Sequence, residues 1–330
     1  MAPSWGALDR YSAGAQETPY LEPHQWVASL SYRYFHSFRV FNSSGEDVTS
    51  QIPGNDTYVD LFDANVTYAV NRRLSFTLEL PFQYGSRTNA FEHDGVHVHT
   101  MRATGIGDMR LSANFLLLDP QKNLDHNITL SLGVKAPTGD DSATDTSFRS
   151  TGPEERPVDS AIQPGDGGWG IVVSANAFAK VYKNTFAYAN GFYLINPREM
   201  NGVETVNGDR ARDIGVKINS VPDQVAVRSG ITHTIWPAKG LSVSFGARWE
   251  GIPAHDFIGG SNGWRLPGYT VSVEPGISIS HGRDFLGVTA PVAVYRYGVP
   301  SVPAVRTHNP NAGFASFSDF QINVTYSHLF

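Results

Sequence analysis

The feature that most limits the fold of this chain is a two-residue hydrophobic alternation that recurs along almost its whole length. In the last segment, the even positions from Phe320 to Phe330 are mostly apolar or aromatic, while Asp319, Gln321 and Asn323 begin the polar odd series. Successive side chains of a β-strand point to opposite faces, so this period predicts strands with one apolar and one polar face. Helical periodicity is absent, and an all-β fold is expected.

The alternation, with turn-forming residues between its segments, predicts about twelve strands, an even number of the kind that a membrane barrel has. These strands cover residues 25–41, 57–70, 73–86, 104–118, 127–137, 168–181, 185–196, 222–236, 241–254, 268–281, 284–298 and 315–330.

The connections between the predicted strands alternate in length. Outer-membrane barrels have short periplasmic turns and long extracellular loops, so this sorting favours a transmembrane antiparallel up-and-down β-barrel. A soluble all-β fold is the alternative, because any half-buried antiparallel sheet also alternates. The short connections are 71–72, 119–126, 182–184, 237–240 and 281–283, and the long ones are 42–56, 87–103, 138–167, 197–221, 255–267 and 299–314.

Composition agrees with the barrel and excludes several other classes. The 330 residues are 41% hydrophobic and only 17% charged, yet no stretch approaches the 18 or so apolar residues of a membrane helix. Cysteine is absent, which excludes disulfides and thiolate metal sites, and no cofactor is expected. A formal charge of −6 without a basic run makes nucleic acid an unlikely partner.

Aromatic residues near the strand ends suit the two interfaces of a membrane, which predicts contact with outer-membrane lipid and lipopolysaccharide. The loop acids could bridge lipopolysaccharide through divalent ions or collect calcium, although a solvated charged loop is the commoner case. These aromatic residues are Trp26, Tyr58, Tyr68, Tyr84, Trp169, Trp249, Tyr269 and Tyr326, and the acids are Asp140, Asp141, Asp145, Glu154 and Glu155.

Two segments frame the predicted barrel of residues 25–330. Residues 1–24 show no strand period, and they are expected on the periplasmic side, where they could plug the barrel or hang free. The start lacks a basic and then apolar signal region, which suits a mature chain with a new initiator methionine or a chain never exported. At the other end, Phe330 with Tyr326 resembles the signal read by the outer-membrane assembly machinery, from which His328 departs. The last strand is expected to pair with the first.

Four short motifs carry a family resemblance. They are GIGDMRL at 105–111, GVKAPTGD at 133–140, QPGDGGW at 163–169 and VPDQ at 221–224. In this order they resemble the family of outer-membrane transporters associated with meta-pathway phenol degradation. The resemblance implies a barrel that passes hydrophobic or aromatic compounds across the outer membrane, and it supplies no catalytic residues.

The polar faces of the strands predict the residues that line the lumen. Their charges are of both signs, so they could pair into a polar core, as Asp63 or Glu79 with Arg110 and Arg248 with Glu274. The alternative is a continuous water-filled path without clear ion selectivity. Inward aromatic residues could form an apolar track or only fill space. The predicted lumen residues are Arg33, Asp63, Glu79, Arg110, Lys135, Phe178, Lys180, Arg228, Arg248, Glu250, Glu274, Tyr295, Tyr297 and Asp319.

Prolines within or beside the strand patterns predict bulges, kinks or strand ends, because proline cannot donate a ladder hydrogen bond. These are Pro81, Pro137, Pro275 and Pro291. A kinked wall could open sideways to lipid, which would offer a hydrophobic solute an exit. An unbroken ladder beside Pro81 and Pro291 would exclude that exit.

Three loop histidines, His93, His97 and His99, are spaced to share one face of an extended segment and form a candidate metal site. Solvated loop histidines are the more common case. No Gly-x-Ser-x-Gly elbow is present, so a membrane-embedded hydrolase is the least favoured function and no enzyme is expected. The expected function is a passive channel for small hydrophobic or aromatic molecules. A sealed structural or docking barrel that binds a protein partner is the main alternative.

Overall fold

The computed structural model describes residues 20–42, 44–206, 214–309 and 315–330. Twelve antiparallel strands form a closed barrel, which confirms the fold predicted from the alternation. No helix in the described ranges is long and apolar enough to cross a membrane. The strands are β1 (Trp26–Ser37), β2 (Asp56–Ala69), β3 (Leu74–Asn89), β4 (His99–Ile106 and Arg110–Leu116), β5 (His126–Lys135), β6 (Gly170–Tyr182), β7 (Thr185–Ile195), β8 (Gln224–Trp236), β9 (Leu241–Ile252), β10 (Gly268–His281), β11 (Asp284–Thr289 and Val292–Gly298) and β12 (Phe320–Leu329).

The barrel closes where β1 pairs with β12, from Val27 opposite Leu329 to His36 opposite Phe320. Just beyond this ladder, the buried carboxylate of Asp319 ties three parts of the wall together. It accepts hydrogen bonds from the backbone amides of Phe38 at 2.8 Å and Arg39 at 3.0 Å. Its Oδ1 also lies 2.7 Å from Nη2 of Arg296 on β11. Asp319 therefore joins the segments that flank the first and last strands to the eleventh strand.

The distribution of polarity in the wall is the reverse of that in a soluble protein. On β3, the inward side chains of Glu79 and Gln83 are buried, whereas the outward Leu80 and Phe82 are 40% and 46% exposed. Rows of exposed apolar side chains repeat on every neighbouring strand, and such a continuous surface is stable in hydrocarbon rather than in water. The outer face of the wall therefore suits the hydrocarbon of a bilayer.

One long loop enters the barrel. After the hairpin of Thr144–Arg149 and Gly152–Pro157, the chain turns inward, and Val158 and Ile162 become fully buried beside Met101 on β4. The side-chain amide of Gln83 on β3 donates to the carbonyl oxygen of Ile162 at 3.0 Å. This inserted loop, residues 158–166, packs inside the barrel against β3 and β4.

Gly85 on β3 makes room for the inserted loop, because a Cβ built there would lie 2.6 Å from Cβ of Ile162. We therefore expect Gly85→Val to push the loop off the wall and to destabilise the barrel by about 1–3 kcal/mol. Unfolding in urea, followed by the gel mobility of the folded barrel, would measure the change. The matched control is Gly191→Val, whose nearest neighbour is a Val227 methyl carbon at 3.8 Å. Adding Ile162→Ala to Gly85→Val should restore stability, and a failure to do so would contradict this packing.

Pro81 lies inside β3 and Pro137 just beyond the end of β5. Beside Pro81, β4 is interrupted between Ile106 and Arg110, where one extra residue bulges. The amide of Gly107 nevertheless donates to the carbonyl oxygen of Pro81 at 2.8 Å, so the two strands stay joined.

The break between the two parts of β11 lies at Pro291, and Pro275 lies opposite this break on β10. The ladder continues across both, since the amide of Ala290 donates to Pro275 at 3.0 Å and that of Gln321 donates to Pro291 at 2.9 Å. Single hydrogen bonds therefore bridge the wall at both interruptions, and the sideways exit at Pro81 and Pro291 stays a prediction. The carbonyl oxygen of each of these prolines accepts a hydrogen bond from the neighbouring strand, although proline has no amide hydrogen to donate.

Candidate functional site

The predicted lumen residues lie inside the barrel, apart from two tyrosines and Lys180, which is exposed at its short-turn rim. Lys180 lies at the short-turn end of β6, where its Nζ is 3.1 Å from Oδ1 of Asp125. The inward charged side chains are at most 5% exposed, so bulk water does not reach them. The inward residues are Arg33, Asp63, Glu79, Arg110, Lys135, Phe178, Arg228, Arg248, Glu250, Glu274 and Asp319.

The prediction that Tyr295 and Tyr297 line the lumen is wrong. The register between β10 and β11 shifts at Val294, which adds one residue to β11 and exchanges its two faces. Tyr295 is 49% exposed on the outer wall, where its ring stacks with that of Tyr297 at 6.4 Å. The residue between them, Arg296, points inward instead. The two tyrosines belong to an aromatic cluster on the lipid side together with Tyr269.

Buried ion pairs cross the middle of the barrel, and we call this set the central ion layer. On the β8–β10 side, Oε2 of Glu274 lies 2.6 Å from Nε of Arg248, and Oε1 of Glu274 lies 3.4 Å from Nε of Arg228. Glu250 lies 3.7 Å from Arg248 and 3.8 Å from Arg33, which reaches across from β1. Two carboxylates thus hold three guanidinium groups.

The same layer continues on the other side of the barrel. Nη1 of Arg110 on β4 lies 3.4 Å from Oε2 of Glu79 on β3. Nζ of Lys135 on β5 lies 3.4 Å from Oδ2 of Asp108 and also pairs with Asp166 of the inserted loop. Charges of the two signs occur in similar numbers and lie buried in pairs, so the layer fills the middle of the barrel as a polar core.

Three of the sequence motifs meet at Lys135. Asp108, Lys135 and Asp166 come from the stretches 105–111, 133–140 and 163–169, and together they form what we call the motif latch. Asp108 also accepts hydrogen bonds from the backbone amides of Gly139 at 3.0 Å and Asp166 at 3.2 Å. The latch joins the inserted loop to the wall. Asp108 and Asp166 were not among the predicted lumen residues, because they lie on a bulge and a loop outside the alternation, and their motifs were the available signal.

Below the central ion layer, at the short-turn end, lies a cavity of about 500 Å³ that we call the turn-side cavity. The ring of Phe178 stands in it, 6.4 Å from the ring of Tyr20 and 6.3 Å from that of Phe186. Apolar rings combined with neutral amides suit small aromatic or weakly polar organic molecules. The amides are those of Asn65, Asn71, Asn114, Asn176 and Asn190, and the charged side chains of Arg72, Arg73, Arg283 and Asp284 also line the cavity.

The N-terminal segment reaches this cavity. The Tyr20 hydroxyl donates to the carbonyl oxygen of Asn123 at 2.6 Å and accepts from the side-chain amide of Asn127 at 3.2 Å. Because β5 lies four strands away from β1 around the barrel, residues 20–24 run over part of its short-turn mouth. Residues 1–19 lie outside the described residues, so the plug formed by residues 1–24 stays a prediction.

The three loop histidines do not form a metal site. His93 is buried, and its Nδ1 accepts a hydrogen bond from the amide of Phe148 at 3.0 Å. Burial, and secondarily the neighbouring His99, lowers the pKa of His93, which keeps its imidazole neutral. His97 points away to pair with Asp94 at 2.6 Å. Within the described ranges, no group of three or more metal-ligating side chains comes together.

The closed barrel, its polar interior and its apolar wall place the chain in the class of outer-membrane β-barrels. Among solved structures, the chain is similar to an outer membrane channel from Pseudomonas putida F1, with 12% identity, a TM-score of 0.61 and 100% of both chains covered. The P. putida toluene transporter TodX is 9% identical, with a TM-score of 0.45 and 97% of this chain and 94% of that chain covered. The CymD monoaromatic hydrocarbon channel is 10% identical, with a TM-score of 0.42 and 94% and 89% covered. No family model and no curated protein matches the chain.

Proposed function

We propose that the chain is an outer-membrane channel for the passive uptake of small hydrophobic or aromatic molecules. The observation that carries this proposal is the turn-side cavity, a ligand-sized space inside a lipid-facing barrel whose lining combines aromatic rings and neutral amides with a few charged side chains from the short turns. The similar protein of P. putida F1 is an outer membrane channel, which supports the general class. No catalytic step forms part of the proposal.

A solute that passes through the barrel has to pass the central ion layer. The central ion layer excludes salt, because an ion entering it would have to displace buried pairs. An uncharged solute needs only a local opening. Within the described residues of the lumen, the inserted loop is the part that is held to the wall by side-chain contacts to its backbone. We therefore assign the moving part to the inserted loop and its restraint to the motif latch.

We further propose that the chain is an integral protein of the bacterial outer membrane, in contact with lipid and lipopolysaccharide. The strand that ends at Phe330 would be the element that the assembly machinery binds. Phe330 is 61% exposed, and its amide donates to the carbonyl oxygen of Trp26 at 2.8 Å, which places it at the seam between the first and last strands.

A sealed structural or docking barrel is the second candidate, and the burial of the central ion layer favours it. The two functions are separated by liposome uptake of toluene combined with single-channel conductance in planar bilayers. A channel for hydrophobic solutes should take up toluene while conducting little salt. A barrel that admits neither would be a sealed one.

The ring of Phe178 tests the role of the turn-side cavity. We expect Phe178→Ala to reduce toluene binding about threefold to tenfold, since an aromatic pair contributes about 0.5–1.5 kcal/mol beyond its area. Saturation of toluene uptake into liposomes would measure this. Phe76→Ala is the matched control, because that ring is 41% exposed on the outer wall. Equal effects of the two changes would argue against the cavity as the binding site.

A further inference from the structure

A second ligand-sized space lies at the opposite, long-loop end of the barrel. It is a groove of about 460 Å³ between the hairpin of Met200–Glu204 and Ile218–Ser220, the turn at Asn262 and the short helix Val302–Arg306. This volume falls within the range of small-molecule sites. The groove is separate from the turn-side cavity, and none of the lumen residues described above lines it.

The floor of the groove is apolar and already assembled. Ile214 belongs to a buried cluster with Trp264 and Ala304. The amide of Trp264 donates to the carbonyl oxygen of Ile218 at 2.7 Å, and the amide of Ser220 donates to that of Trp264 at 2.9 Å. Two loops are thus joined by backbone hydrogen bonds, so a ligand would not have to order this floor on binding.

Two exposed cations, Lys217 and Arg306, stand at the rim. Nη2 of Arg306 donates to Oδ1 of Asn262 at 2.6 Å. Asn262 is held in turn by Glu199, whose Oε1 accepts from its backbone amide at 2.9 Å and its side-chain amide at 2.6 Å. The side-chain amide of Asn262 therefore orients the guanidinium group of Arg306 without neutralising its charge. The remaining N–H groups of Arg306 can bind a carboxylate.

We propose that this groove binds amphipathic organic anions, namely carboxylates carried on an aromatic or hydrocarbon body. The apolar floor would take the body and the two rim cations would take the carboxylate, while amines would be repelled. The inference rests on the proposed channel function in one respect, because it names a substrate class captured at the long-loop end before passage.

Equilibrium dialysis of the purified full chain in detergent, against a protein-free detergent blank, tests the proposal with two probes. They are para-butylbenzoate and its uncharged analogue para-butylbenzamide, which have nearly the same shape. The benzoate should bind about tenfold more tightly, since hydrogen bonds to charged groups are stronger than neutral ones. Equal affinity for the two probes would overturn the proposal.

The double variant Lys217→Gln/Arg306→Gln should weaken benzoate binding about tenfold or more and leave benzamide binding unchanged. Lys122→Gln, which removes a cation from a short turn at the other end, is the matched control and should change neither affinity. Heat-modifiable gel mobility verifies that each variant is folded. Unchanged benzoate affinity in the folded double variant would overturn the proposal.

Toluene uptake into liposomes distinguishes this failure from that of the channel function. If the wild-type chain binds benzoate through the rim cations but takes up no toluene, the groove stands and the channel function falls. If toluene enters but the double variant binds benzoate like the wild type, the groove proposal falls and the channel function stands.

Discussion

Replacing Glu274 by glutamine is expected to lower the free energy of unfolding by about 3–5 kcal/mol. Its carboxylate contacts both Arg248 and Arg228 in a part of the barrel that water does not reach. Removing the negative charge leaves two buried guanidinium groups with less compensation, and that loss exceeds what the pair itself contributes. Urea unfolding in phospholipid liposomes, followed by gel mobility, would measure the change.

The controls for this prediction use charges that the chain already provides. Glu22 pairs with Arg72 at 2.7 Å, but both side chains are about half exposed, so Glu22→Gln should cost less than about 1 kcal/mol. Adding Arg248→Gln to Glu274→Gln removes one charge of each sign and should recover part of the loss. Equal effects of Glu274→Gln and Glu22→Gln would contradict the description of the central ion layer. Any salt leak that accompanies Glu274→Gln should favour anions, because the layer gains net positive charge.

Replacing Leu132 by arginine is expected to destabilise the barrel by about 2–4 kcal/mol in a bilayer, the cost of a cation on the lipid face near the midplane. Leu132 lies on β5, is 62% exposed and is flanked in register by Ala113 and Val173. The measurement is again urea unfolding in phospholipid liposomes.

Depth in the membrane supplies the control for Leu132→Arg. His126 is exposed at the short-turn end of the same strand, where arginine should cost about 0–1 kcal/mol. If the wall crosses a bilayer, arginine at Leu132 should cost more free energy of unfolding than arginine at His126. Equal costs would mean that the wall does not lie in hydrocarbon.

The alternation was sufficient to predict the barrel and most of its lumen. In an uninterrupted strand, each residue has a face assigned by its parity, so Glu79 and Arg248 could be placed inside before any partner was known. Their ionic partners were also foreseeable, because each lies on an adjacent strand of the predicted order. A two-residue alternation directly predicts the face on which each side chain lies and the succession of the strands.

Two parts of the site were not foreseeable in this way. One extra residue at Val294 exchanges the faces of β11, so Tyr295 and Arg296 lie opposite to their expected sides, and a bulge has no signature in a short window of sequence. The partners of Lys135 come from a bulge and from a long loop that returns into the barrel. Loops have no period, so only the motif at 163–169 pointed to Asp166.

The contact at Asp319 has a consequence for how the wall finds its alignment. If β12 slipped by two residues against β1, every side chain would keep its face and most ladder bonds would re-form, so hydrophobicity would hardly distinguish the slipped barrel from the native one. Asp319 would distinguish them, because only the native alignment brings its carboxylate to the amides of Phe38 and Arg39. A barrel slipped here would keep the contact with Arg296 but leave this buried carboxylate without those two donors. The contacts of Asp319 thus favour the native register when the first and last strands pair.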